Sequence, residues 1–326
     1  MPWPSQDRAL ARYVANEVYP YSSAVRRRLD TAGLGRKGIR GVEDLARLPA
    51  IDLSEVGDGR ELVLRPDEET MRVFRGPVFA LALAWARLRG RAGTLQRRVL
   101  EPRYKPLEWL LADGVPLAYS AADLVRLGEL GRRWLWQAGV GPGDVVVDLL
   151  APELRLAALQ LSAGCRVARV AHVHLPPTSD PGDVAWLAPT ALAGRARHLG
   201  RVLRGVRSAE DAFPSLRTLL VTGELLDQRA RKRLARMVPP SVAIVQAWAP
   251  PGVRALWAEC RDGDALHAWP DVEVIETSDE GLVWTGLGWR GSAILRLRTG
   301  VDAVTENGPC PHCGQEALRL RVASTR

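Results

Sequence analysis

The stretch from Ala138 to Leu150 reads Ala-Gly-Val-Gly-Pro-Gly-Asp-Val-Val-Val-Asp-Leu-Leu and decides the fold. Its three glycines and its proline end the helical pattern that begins at Ser120, since these residues are common where helices stop. The residues from Val145 to Leu150 are then apolar except for Asp148, which is typical of a strand buried on both faces. We therefore predict a helix, a tight turn and an inner strand here.

The alternation of helix and strand continues along the chain. We predict a helix over 154–163, a strand over 166–172, a helix over 190–204 and a strand over 216–222. This order favours an α/β fold with a doubly wound parallel sheet and right-handed crossovers. From Val242 onward, short strands separated by Gly, Pro and Asp indicate a mostly antiparallel β lobe. The predicted parts are a helical N-terminal segment (1–118), an α/β core (119–240) and the β lobe (241–326).

Composition places the chain among soluble globular proteins. It has 326 residues, 47% of them hydrophobic, which is enough to bury a large core. Only four cysteines occur and the chain has no signal-peptide pattern, so we expect a reducing, cytoplasmic location. The net charge is +8, but the basic residues are scattered among acidic ones and accompany no recognition motif. A nucleic-acid partner is therefore not expected.

One region is more basic than the rest. Residues 72–105 are rich in arginine and contain a single acidic residue, Glu101. They include the apolar run from Val78 to Ala86, which is too short to span a bilayer because a spanning helix needs roughly 20 residues. A basic amphipathic helix of this kind can lie on an anionic membrane surface or bind a partner protein. The alternative is a pair of ordinary surface helices that cover the core.

Several blocks of sequence, spread over most of the chain, resemble one enzyme family. The blocks are Leu29–Gly33, Val42–Pro49, Tyr119–Leu124, Ala138–Val146, Phe213–Glu224, Arg298–Gly300 and Cys310–Gly314. In this order and at these spacings, the chain resembles the N-terminal domain of adenylate-forming (AMP-binding) ligases, most closely the phenylacetate–CoA ligase type. The resemblance implies their α/β fold. The family also has a swivelling C-terminal domain that carries the adenylation lysine, which we expect this chain to lack.

The segment from Lys105 to Pro116 departs from the family pattern. There the family has a loop of Ser, Thr and Gly whose backbone amides and hydroxyls bind phosphate, because only small residues let the main chain come so close. This chain has Leu107, Trp109, Leu110 and Leu111 instead. We expect these apolar side chains to fill the floor of the phosphate site.

Two further family motifs are changed. The resemblance aligns the motif that stacks on adenine and binds the metal with Trp248–Gly252, so that Gly252 stands where the family has its metal-binding glutamate. The aspartate that receives the ribose hydroxyls is replaced by Val301. Asp302 comes one residue late, and a shift of one residue on a strand places a side chain on the opposite face.

These changes lead us to predict a pseudoenzyme, that is, a catalytically inactive relative of an acyl- or aryl-CoA ligase. It would serve as a structural or regulatory scaffold that binds another protein or a second copy of itself. Binding of ATP or AMP is not expected, although Trp248, Gly223 and Glu224 form the remnant of an adenine pocket. The alternative is an ATP-dependent, phenylacetate–CoA ligase-like enzyme, or a half-enzyme completed by a separate C-terminal domain.

Cysteine and histidine are spaced as in zinc sites. Cys310 and Cys313 form a C-x₂-C turn, and the resemblance pairs them with Cys260 and His267, because some relatives bind zinc between the corresponding segments. Three thiolates and one imidazole suit a tetrahedral, structural Zn²⁺ with no open position. His312 is a competing ligand, and a turn with reduced cysteines and no metal is the other alternative.

Overall fold

The structure is a computed structural model of the chain. It describes residues 6–57, 59–66, 81, 84–85, 87–90, 101–206 and 208–325. Over these ranges, no helix is both long enough and apolar enough to cross a bilayer.

A nine-stranded sheet forms the centre of the described structure. The strands of the described residues, of which nine belong to this sheet, are β1 (Pro106–Ala112), β2 (Val115–Ser120), β3 (Val145–Asp148), β4 (Ala171–His174), β5 (Ala191–Gly194), β6 (Thr218–Thr222), β7 (Ala243–Trp248), β8 (Trp257–Ala258), β9 (Leu266–His267), β10 (Glu273–Ser278), β11 (Gly281–Gly286), β12 (Leu297–Arg298), β13 (Val301–Glu306) and β14 (Arg319–Thr325). The large sheet has the order β13-β14-β9-β8-β7-β6-β5-β3-β4, and β3 to β7 run parallel. The predicted doubly wound sheet with an antiparallel part is confirmed. The sheet runs without a break past residue 240.

Helices cover both faces of the parallel strands. The helices are α1 (Gln6–Tyr13), α2 (Tyr19–Tyr21), α3 (Ser23–Thr31), α4 (Glu101–Tyr104), α5 (Ala121–Gln137), α6 (Arg155–Ala168), α7 (Ala196–Gly205), α8 (Ala209–Ala212) and α9 (Gln228–Ala235). Successive side chains of a strand point to opposite faces. Val146 therefore packs in the core that contains α5 and α6, and Val147 in the core that contains α7 and α9.

Two of the predicted elements differ from the structure. The helix predicted over 190–204 is strand β5 followed by helix α7, and the strand predicted over 166–172 begins only at Ala171 because α6 continues to Ala168. β5 reads Ala-Leu-Ala-Gly, which local propensity does not assign to a strand. It is a strand because it pairs with β3 on one side and β6 on the other.

Helices α5 and α6 come into unusually close contact at two glycines. A Cβ atom on Gly131 would lie 2.2 Å from the carbonyl oxygen of Gln160 and 2.8 Å from the Cα of Gly164. We expect Gly131→Ala to lower the free energy of unfolding by about 2 kcal/mol or more, because the helices would have to separate. Gly141→Ala is the matched control, since nothing lies within 4 Å of its Cβ position. Equal urea-unfolding midpoints for the two variants would contradict this contact.

The N-terminal helices pack on the three-stranded sheet formed by β10, β11 and β12. Leu10, Val14 and Leu29 share one core with Val274 and Leu295. The largest buried side chains are tryptophans, namely Trp134, Trp257, Trp269, Trp284 and Trp289. Most of the aromatic surface therefore stabilises the interior, as the abundance of tryptophan in the sequence indicates.

Most of the basic segment predicted over 72–105 lies outside the described residues. Of the part that is described, Leu81, Trp85 and Leu88 are exposed. The guanidinium of Arg89 lies 3.3 Å from the centre of the Trp85 ring. Binding of this segment to a membrane surface or to a partner protein stays a prediction.

Candidate functional site

A cleft of about 350 Å³ lies where the parallel strands end. Gly223 follows β6, Trp248 ends β7, and residues 153–157 open α6 after β3. The hairpin of β1 and β2 closes the cleft from the side with residues 110–113. In open α/β sheets, ligands bind at the carboxyl ends of the strands, so this position makes the cleft the candidate ligand site.

The hairpin contains residues 106–116, which the sequence resemblance aligns with the phosphate loop of adenylate-forming ligases. Its turn, Asp113-Gly114, has positive φ values of 46° and 82° at both residues, which is typical of a two-residue hairpin turn. Leu110 is buried and lines the cleft, as expected. Leu107 and Trp109 are exposed, because neighbouring side chains of a strand point to opposite faces. The predicted filling of the floor is therefore only partial, and the cleft stays open.

The three residues of the predicted adenine pocket are not all in one place. Gly223 and Trp248 line the cleft, and the Trp248 ring meets Trp257 edge to face, with ring centres 6.2 Å apart. Glu224 lines a separate cleft, where its Oε1 accepts a hydrogen bond of 3.0 Å from the backbone N–H of Ala196 at the start of α7. The structure thus brings together two of these residues, and Glu224 stabilises a helix N-terminus.

The resemblance assigns Mg-ATP binding to three positions whose surroundings the structure describes. Gly252 offers no carboxylate, and a Cβ atom there would lie 2.5 Å from Leu297 Cδ2, so a larger residue would require that side chain to move. Val301 is buried in the apolar core. The phosphate position is a paired hairpin rather than a flexible glycine loop.

The cleft has an apolar floor and a polar rim. Leu110, Leu117, Tyr119 and Leu256 form the buried part of its lining. Among the described lining residues Arg155 is cationic and pairs with Glu108 of β1 at the mouth, whereas Asp113 and Glu153 are acidic. The floor therefore suits the apolar body of a ligand, and the charged groups lie at the rim.

A second group of chemically active residues lies at the antiparallel end of the sheet. Cys260 follows β8, His267 lies in β9, and Cys310 and Cys313 lie in the turn between β13 and β14. One ligand atom from each of the four lies within 4.8 Å of the others, and the sulfurs of Cys260 and Cys310 are 3.9 Å apart. The structure therefore brings together all four residues of the predicted metal site.

The chemistry of this cluster fits a bound metal ion. His267 is buried, and neither of its ring nitrogens has a hydrogen-bond partner among the described residues. A buried ring nitrogen without a hydrogen-bond partner destabilises the folded state, and coordination of a metal ion would give it a partner. Burial lowers the pKa of His267 to about 4, which keeps the imidazole neutral and able to ligate. Burial, with the neighbouring thiols, raises the pKa of Cys260 to about 12, and a divalent cation would reverse that effect.

A third polar cluster became visible only in the structure. His172 Nε2 lies 2.5 Å from Asp148 Oδ2, and His174 Nδ1 lies 2.7 Å from Asp148 Oδ1. Hydrogen bonds from both histidines contribute to lowering the pKa of the buried Asp148 carboxyl against the raising effect of burial. The sequence presents the histidines only as an alternating pair at a strand end, and the parallel register of β3 and β4 supplies their shared partner.

Comparison with solved structures finds the same architecture in a CoA ligase. The structure of 2-hydroxyisobutyryl-CoA ligase with 2-HIB-AMP and CoA in the thioesterification state matches with a TM-score of 0.74, 17% identity, and coverage of 98% of this chain and 68% of that one. An open conformation with the same ligands matches with a TM-score of 0.73 and 17% identity. This match covers 100% of this chain and 76% of that one. The postadenylation state with R3-HIB-AMP matches with a TM-score of 0.73 and 16% identity. This match covers 97% of this chain and 65% of that one. The chain has the fold of this CoA ligase.

At 16–17% identity, this similarity establishes the fold and not the reaction. The chain spans about two thirds of the length of the enzyme in its postadenylation state. No protein-family model and no curated protein matches the chain. The expected α/β architecture of an adenylate-forming N-terminal domain is confirmed, whereas the phenylacetate–CoA ligase subtype stays a prediction.

Proposed function

We propose that this chain supplies the acyl-binding cleft of an acyl- or aryl-CoA ligase-type protein. The observation that carries the proposal is the open cleft at the carboxyl ends of the parallel strands, within a fold similar to that of a CoA ligase. The ligand would be an organic carboxylic acid or its acyl derivative. Its hydrocarbon part would lie on Leu110, Leu117 and Leu256, and its carboxylate would compete with Glu108 for Arg155.

This proposal agrees with the earlier alternative of a half-enzyme. At the positions that the resemblance assigns to Mg-ATP, this chain has Gly252 in place of a carboxylate and a paired hairpin in place of a glycine-rich loop. Groups that activate the carboxylate would then come from a separate domain or protein. The part assigned to this chain is to bind and orient the acid and to exclude water from its apolar end.

The proposal predicts that a cleft-blocking variant loses ligand binding. Ala249 lines the cleft and is half-buried, so Ala249→Trp should fill much of its volume and weaken binding of the preferred acid about tenfold or more. Val304→Trp on β13 is the matched control, since Val304 is exposed and does not line the cleft. Binding would be measured by calorimetry with a panel of aliphatic, 2-hydroxy and aryl carboxylic acids. If no acid binds saturably, the acyl-cleft proposal is wrong.

The second candidate is the catalytically inactive structural or regulatory subunit. The glycine at position 252 supports it, because glycine offers no carboxylate to a metal ion. Acid binding separates the two candidates, since saturable binding would support the acyl cleft and its absence would favour the inactive subunit. ATP–pyrophosphate exchange by this chain alone, measured with the same acids and Mg-ATP, would contradict both, because neither assigns adenylation to it.

For the Cys₃His cluster we propose a structural Zn²⁺. Cys260, His267, Cys310 and Cys313 would hold the ion, and such a ligand set leaves no position for substrate or water. Zinc would join the β8–β9 region to the turn between β13 and β14, which are far apart in sequence. Its contribution would be to stability and not to catalysis.

A further inference from the structure

A cleft of about 620 Å³ lies between the N-terminal helices and α5, and it is rich in arginine. Its described lining residues are Ala9, Arg12, Tyr13, Asn16, Glu17, Tyr21, Arg36, Arg103, Arg126, Asp271, Leu287 and Gly288. None of them lines the acyl cleft. Four arginines thus face two carboxylates in this separate cleft, and lysine is absent from this described lining.

Both of those carboxylates are already engaged by arginines. Glu17 accepts hydrogen bonds of 3.2 Å from Arg103 and from Arg290, and it also accepts one of 3.1 Å from the Tyr104 hydroxyl. Asp271 accepts a hydrogen bond of 2.9 Å from Arg133, which lies outside the lining. With four arginines and two carboxylates, the described lining of the cleft carries a net positive charge.

Arg126 is held in place without a carboxylate partner among the described residues. Its Nη1 donates a hydrogen bond of 2.7 Å to the carbonyl oxygen of Leu287, and its guanidinium lies 5.4 Å from the centre of the Trp289 ring. A Cβ atom on Gly288 would lie 3.0 Å from both terminal nitrogens, so glycine makes room for the guanidinium. Burial lowers the pKa of Arg126, whereas the carboxylates of Asp123 and Asp271 act in the opposite direction.

Arg12 adds a second cation at the rim of the cleft. It lies in the last turn of α1, is exposed, and forms no ion pair with any described residue. Arginine is the side chain best suited to phosphate, because its planar guanidinium donates two parallel hydrogen bonds to phosphate oxygens. Several separate guanidinium groups around one space of this size match a ligand with more than one phosphate group.

We propose that this cleft binds the polyphosphate group of a small molecule, such as inorganic pyrophosphate or a nucleotide. The proposal does not depend on the acyl cleft, because the two sites share no lining residue. Arg126 would contact the phosphate at the inner end, and Arg12 would contact it at the rim.

The test is calorimetric titration of the full chain with pyrophosphate and, separately, with ATP, both at low ionic strength and without added Mg²⁺. We expect saturable binding of pyrophosphate, weakened about tenfold or more by Arg126→Gln, because a hydrogen bond to a charged group is lost. Arg12→Gln should weaken it about threefold. Tighter binding of ATP than of pyrophosphate would identify a nucleotide, and equal affinity would identify the phosphate chain alone as the recognised group.

Arg8→Gln is the matched control, because Arg8 is exposed on the same helix as Arg12 but does not line the cleft. It should leave the affinity unchanged. Three results would overturn the proposal. They are a lack of saturable binding, equal weakening by Arg8→Gln and Arg126→Gln, and an equal response to sulfate at the same ionic strength. Since Arg12→Gln alters an exposed residue, it tests the site even if Arg126→Gln does not fold.

Discussion

Cys310→Ser is expected to remove the metal and to lower the free energy of unfolding by about 4 kcal/mol or more, since loss of a structural metal is among the most damaging changes a protein can undergo. The reason lies in the position of the cluster. Cys260 and Cys310 are 50 residues apart, and their ion would hold the last strands against β9. Wild-type protein purified from zinc-containing medium should contain one zinc per chain by elemental analysis, and the variant much less.

Two control variants make this test specific. His312→Ala should keep the metal, because His312 is not among the four residues whose ligand atoms cluster. Cys165→Ser changes another buried cysteine in an apolar core, so it should cost some stability without any loss of zinc. Wild-type protein without zinc, or a Cys310→Ser variant that unfolds at the wild-type midpoint, would contradict the structural zinc.

Glu273 is the other residue at which we expect a large effect. It is buried among tryptophans, and its carboxyl group accepts hydrogen bonds of 3.0 Å from Trp257 Nε1, 2.6 Å from Trp284 Nε1 and 2.6 Å from the backbone N–H of Trp269. Burial raises the pKa of Glu273 to about 7, although these donors act in the opposite direction. The folded state therefore holds this proton more tightly than the unfolded state does.

Glu273→Gln should change how stability depends on pH. Because the folded pKa lies above the unfolded value of 4.5, wild-type stability contributed by this group falls as pH rises from about 4.5 to about 7. The shift corresponds to roughly 3 kcal/mol. Glutamine does not titrate, so the stability of the variant relative to the wild type should rise by about this amount between pH 5 and pH 8.

The measurement is urea unfolding of both proteins at the two pH values. The difference between variant and wild type isolates Glu273 from every other titrating group, since those are shared. Glu43→Gln, at an exposed position, should give a difference that is the same at both pH values. A difference for Glu273→Gln that is constant with pH would show that this carboxyl group keeps the same proton affinity on folding.

Local signals in the chain were sufficient for the main elements of the fold. The glycines around Val140 end helix α5 with Ala138 as its C-cap, and the valines that follow form β3, as predicted. Ser120 caps α5, accepting a hydrogen bond from the backbone N–H of Asp123. These features were predictable because caps, breakers and continuous apolar runs act over a few residues. β5 was missed because its short Ala-Leu-Ala-Gly sequence becomes a strand only between two partners.

The candidate sites likewise depend partly on local sequence signals and partly on contacts between distant segments. The C-x₂-C turn at Cys310 is a local signal, whereas its meeting with His267 depends on the pairing of β14 with β9. The arginine-rich cleft was not predicted at all, because Arg12 and Arg126 lie on helices that are far apart in sequence. No pattern of spacing within one segment could have revealed it.

The sequence by itself determined most of the buried parallel strands, the cap of α5 and the cysteine turn, because hydrophobic periodicity, helix caps and ligand spacing are properties of short segments. The tertiary structure alone decided whether the acyl cleft stays open, how the two histidines share Asp148, and which charges are left without a partner. Burial and electrostatic balance depend on residues that are distant along the chain, so they exist only after the segments have packed together.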